Sequence, residues 1–78
     1  MDKQQRLEFR RQCMERFSMF LKQLRQERGL TVKEMADILK ISPSTIRNWE
    51  KMKGRPLCSH IYTICNKFKI SADDIIGL

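Results

Sequence analysis

Long apolar runs are absent from this 78-residue chain: the longest is Met19–Leu21, whereas a membrane span requires roughly 20 apolar residues. The N-terminus is polar and charged, so no signal peptide is expected. No stretch alternates apolar and polar residues with period two, which argues against strands. Cysteine is scarce and odd in number: Cys13, Cys58 and Cys65 are the three, and their spacing builds no disulfide framework. Such usage suits a reducing cytosol and a cytoplasmic location. Cys58, His60 and Cys65 lie close in sequence but match no zinc spacing, and Cys65 continues an apolar helical face, so no metal is expected. A single His, no Gly-rich phosphate loop and no nucleophile beside a base leave an enzyme nothing to build on. No cofactor and no small-molecule ligand are expected. Acidic residues are also in deficit, with 9 Asp+Glu against 16 Lys+Arg, a formal charge of +7 and a pI of about 9.8. That balance favours a polyanionic partner, nucleic acid first and an anionic membrane surface second. The ordinary alternative, which charge alone does not exclude, is a basic protein with no such partner.

What is present is a small folded domain. Charged residues make up 32% of the chain, yet 41% is hydrophobic, a composition of ordered rather than disordered chains. At this length every apolar face has to be used. The organising stretch is TVKEMADILKISPSTIRNWEK, residues 31–51. Thr31 and Glu34 form a capping box that starts a helix. Val32, Met35, Ala36 and Leu39 then share one face. Ser42 and Pro43 restart the chain as a second helix, an N-cap followed by the residue suited to the first helical position. Ile46 and Trp49 bury one side of it, and Ser44, Arg47, Asn48 and Lys51 show on the other. With about two residues between them the helices must cross steeply, which makes a helix-turn-helix.

Around this pair the same periodicity recurs. Residues 1–16 are charged and helix-prone, an N-terminal helical extension or arm, and residues 17–78 form the domain proper. Leu7, Arg10, Met14, Phe17, Leu21 and Leu24 follow three- and four-residue steps. Either one helix runs from about Lys3 to Arg28, or Ser18 caps a separate one, and Gly29 ends it. The extension either packs, awaits a partner chain, or is a solvated arm. Met52–Leu57 reads as a loop. A fourth helix starts near Cys58 or Ser59 and shows Ile61, Ile64, Cys65 and Phe68 on one face, and Ser71 with Asp74 caps a short fifth with Ile75 and Ile76. Trp49 and the phenylalanines read as core, since each falls on an apolar stripe. The fold class expected is all-α, a compact five-helix bundle.

On these residues the chain resembles the lambda-repressor-like (Cro/CI-type, XRE) helix-turn-helix family over about residues 17–76. The resemblance rests on Arg25 four residues before Gly29, the small Ala36, the apolar Ile41, Ile46 and Trp49, then Glu50 and Pro56, and the tail KFKISADDII. It implies a lambda-repressor-like bundle with a central helix-turn-helix, and an internal ion pair between Arg25 and Glu50. Three positions depart from the family pattern. Val32 stands where a phosphate-contacting Gln is usual, Lys40 where the turn is usually Gly, and Met52 where another Gly is usual. The last leaves room for helix 3 to extend from Pro43 to about Met52.

The implied function is sequence-specific binding of double-stranded DNA by a small transcriptional regulator of repressor type, acting as a homodimer. Helix 3 enters the major groove. Arg47 reads guanine, Asn48 reads adenine, Ser44 adapts to the edge it meets, and Pro43 offers apolar contact. Thr31, Lys33, Lys40, Ser42, Lys51, Lys53 and Arg55 are the expected phosphate contacts. The ordinary alternative for Arg47 and Asn48 is a solvated helix face. A different class, an antitoxin or adaptor acting through protein contacts, would carry an apolar or acidic exposed face on helix 3, which this sequence does not have. Dimer contacts are expected at the Ile75, Ile76, Leu78 end, which the resemblance favours, or else along the N-terminal extension.

Overall fold

A computed structural model describes residues 2–76. Among them are five helices and no strand: α1 (Lys3–Glu27), α2 (Val32–Leu39), α3 (Pro43–Glu50), α4 (Cys58–Phe68) and α5 (Ala72–Ile76). None is long and apolar enough to cross a membrane.

Helix starts follow their caps. Asp2 accepts the Gln5 N–H (2.8 Å) and the Gln5 side chain accepts the Asp2 N–H (3.1 Å) at α1. Thr31 and Glu34 do the same at α2 (3.1 and 2.9 Å). The Ser42 hydroxyl accepts the Thr45 N–H at α3, with Pro43 next. At α4, where Leu57 has no capping side chain, His60 Nδ1 accepts the Leu57 N–H at 2.9 Å. These bonds satisfy donors that a helix start otherwise leaves orphaned.

Helix ends share one motif. At Gly29, Lys40, Met52 and Lys69 the backbone turns left-handed, and the next residue donates back across the turn. Leu30 donates to Arg25, Ile41 to Ala36, Lys53 to Asn48 and Ile70 to Cys65, which is the Schellman pattern. Leu30, Ile41 and Ile70 lie against the core, so three of the four turns also place an apolar residue. The turn at Met52 ends α3 at Glu50. Helix 3 is therefore two residues shorter than the expected span to Met52, because a methionine takes the left-handed position that the missing glycine would have held.

The core comprises Phe17, Leu21, Leu24, Met35, Ala36, Leu39, Ile46, Trp49, Ile64, Phe68 and Ile75. α1 packs on α3 and α5, α2 on α3 and α4, and α4 on α5. Trp49 sits between Phe17 and His60, edge-on to both rings at centroid separations of 5.5 and 5.1 Å. The phenylalanines do not all join it: Phe9 is 57% exposed and Leu7 52%. α1 runs unbroken through residue 18, so its first turns project past the bundle and their apolar stripe meets nothing until Met14. With 25 residues it accounts for most of the 40 Å long axis, at about 1.5 Å per residue. At the other end Ile75 is buried within the protomer and so is not available for a dimer contact. Leu78 and the Ile76 side chain lie outside the described residues.

Candidate nucleic-acid interface

The geometry of the central pair begins with the turn between α2 and α3. Lys40 carries a left-handed conformation (φ 58°) that glycine adopts without penalty, at a cost of about 1–2 kcal/mol for a residue with a Cβ. Two residues later Ser42 caps α3. Its hydroxyl also shares hydrogen bonds with the Ser44 and Thr45 hydroxyls (3.1 and 2.8 Å). Ser42 is thus engaged inside the protein first, and Ser44 keeps only part of its hydrogen-bonding capacity for a ligand.

α3 separates its two faces cleanly. Ile46 is 0% and Trp49 3% exposed, whereas Ser44, Arg47, Asn48 and Lys51 are exposed and Pro43 half-buried. Positions 44, 47, 48 and 51 are spaced three, four and seven apart, one row along the helix. The chain continues from this row into exposed Lys53 and Arg55, and the Lys53 N–H folds back to the Asn48 carbonyl at 2.7 Å. Lys40 stands at the turn. Thr31 and Lys33 open α2, about 12 Å along its axis from that turn. Thr31 is occupied in its capping box. Its backbone N–H, and secondarily its hydroxyl, hold the Glu34 carboxyl below the ordinary glutamate value.

α1 fixes the far end of α3 with two side chains. Arg25 Nε donates to Glu50 Oε2 at 2.9 Å and Arg25 Nη2 to Oε1 at 3.0 Å, a bidentate fork, while Nη1 donates to the Leu30 carbonyl at 3.1 Å. The hydrogen bond to Glu50 raises the Arg25 pKa above its ordinary value against the opposing effect of burial. Two turns earlier on α1, the buried Ser18 hydroxyl donates to the Glu50 backbone carbonyl at 2.8 Å. That carbonyl belongs to the last turn of α3, where carbonyls lack partners within the helix. The sequence marks Ser18 only as a possible helix cap. Its partner lies 32 residues away, so no local pattern discloses the role. Arg28 is a second such case: it donates to the Phe68 carbonyl at 3.2 Å and lies over the Phe68 ring, closing the end of α4.

A family model described as a helix-turn-helix domain matches residues 19–78, well over half of the chain. The chain belongs to this family of lambda-repressor-like helix-turn-helix domains. No curated protein and no solved structure matches it. Helix-turn-helix domains are a DNA-binding class, and α2 and α3 are the paired helices of this one. The matched span starts inside α1, so the projecting turns of that helix lie outside it.

Proposed function

We propose that this domain binds duplex DNA sequence-specifically as a small transcriptional repressor, with α3 in the major groove. The observation that carries the reading is the division of α3: Arg47 and Asn48 stand in solvent while Ile46 and Trp49 anchor the helix from behind. Arg47 pairs with guanine O6 and N7, and Asn48 with adenine N6 and N7. Ser44 and Pro43 meet neighbouring base edges. Thr31, Lys33, Lys40, Lys51, Lys53 and Arg55 neutralise phosphates, and Ser42 contributes there mainly as the cap that orients α3. The Arg25–Glu50 pair contacts no DNA and sets the angle at which α3 leaves the bundle. A homodimer on a pseudo-palindrome, with half-sites about 34 Å apart, is the arrangement this docking serves.

The test is selection of bound sites from a pool of random duplexes by the purified protein. Enrichment of a motif containing guanine and adenine at adjacent reading positions is expected. A pool that stays random through repeated rounds would remove the proposal.

A further inference from the structure

The projecting part of α1 borders the rest of the chain only at its inner end. Arg10, Arg11 and Met14 of α1 form one wall of an open groove whose other wall is Met52, Gly54 and Arg55, the loop that follows α3. All three charged residues of this groove are arginines. The two methionines supply its apolar lining, and a Cβ added at Gly54 would meet nothing within 4 Å. Arg11 has a neighbour of opposite sign: its Nε lies 3.3 Å from Glu15. That pair is exposed and spaced i, i+4, a geometry of small stabilisation. It engages one nitrogen of a guanidinium that carries five donors.

Arginines converging on an open groove repel one another unless an anion joins them. The position of the groove identifies which anion. α3 has eight residues and is therefore about 12 Å long, about the width of the major groove. A recognition helix that meets bases near its N-terminus brings its other end to the phosphate ribbon bounding that groove. The arginine groove begins two residues past that end, at Met52.

We infer that Arg10 and Arg11 of α1 extend the phosphate-binding surface past Arg55, holding duplex backbone beside the site met by α3. The inference rests on the DNA-binding reading above and extends it to a part of the chain outside the matched family span. The contacts are to phosphate, so they add affinity and register without reading sequence.

The experiment measures duplex affinity of the full chain against salt, per protomer bound, for the wild type, for Arg10→Gln with Arg11→Gln, for Arg55→Gln, and for a charge-matched control, Lys67→Gln with Lys69→Gln. Far-UV circular dichroism verifies that each folds. Each lost phosphate contact lowers the slope of log affinity on log salt by about 0.9. The double arginine variant is expected to fall by about 1.8 and the Arg55 variant by about 0.9, with the selected motif unchanged. Between 50 and 200 mM salt the wild type then loses about tenfold more affinity than the double variant. A wild-type slope in the double arginine variant, or an equal fall in the lysine control, overturns the inference while leaving α3 as the reading element. A wild type that fails to bind any duplex overturns the DNA-binding reading itself, and the two failures are told apart by that first titration.

Discussion

Lys40, Met52 and Lys69 hold left-handed backbone positions that glycine occupies without penalty, and each side chain there costs stability. Lys40 repays the strain with a positive charge at the turn facing the proposed ligand. Met52 has no such return: it is exposed and its main consequence is to stop α3 at Glu50. Met52→Gly is expected to raise stability by about 1 kcal/mol. The check is a urea unfolding midpoint that rises at unchanged slope, and a lower midpoint would show that methionine packing outweighs backbone strain. These positions also mark what a residue-by-residue reading misses. Gly29 is legible as a helix end because its backbone freedom is intrinsic. A methionine in the same conformation is held there by the rest of the fold, which is why helix 3 is shorter than its sequence leads one to expect.

α1 acts on α3 as a clamp of two side chains, Ser18 on the Glu50 carbonyl and Arg25 on its carboxylate. With side-chain exposures of 18% for Arg25 and 9% for Glu50, the pair is well screened from water. Glu50→Ala leaves a partly buried guanidinium without its carboxylate, at a cost of up to about 3 kcal/mol. For a domain whose total stability is about 4–12 kcal/mol, thermal unfolding should shift down clearly, and a change within error would mean that solvent replaces the pair. Elements differ in how much of this is visible beforehand. Starts of α2 and α3 are written in Thr31–Glu34 and Ser42–Pro43, residues that act on neighbours three positions away. The five-helix order follows from apolar periodicity in the same way. Ser18, Arg28 and the exposure of Phe9 are not legible, because each depends on which distant surface arrives, or fails to arrive, against α1.

At the scale of the whole molecule, a charge of +7 and an exposed row on α3 backed by Ile46 and Trp49 describe one device: a basic body that presents a short polar edge to a polyanion. Under the proposed function the body supplies an attraction that any duplex satisfies and that falls with salt, and the edge supplies choice. Separating them is the most direct test, because Arg47 and Asn48 are exposed and make no contact on which the core depends. Site selection from random duplexes with Arg47→Ala and with Asn48→Ala, alongside circular dichroism and thermal unfolding, makes the separation. The expected result is an unchanged spectrum and melting temperature, residual salt-sensitive binding, and a motif degenerate at the guanine for one variant and at the adenine for the other. Variants that fold normally and recover the wild-type motif would contradict the assignment of α3 as the helix that reads DNA.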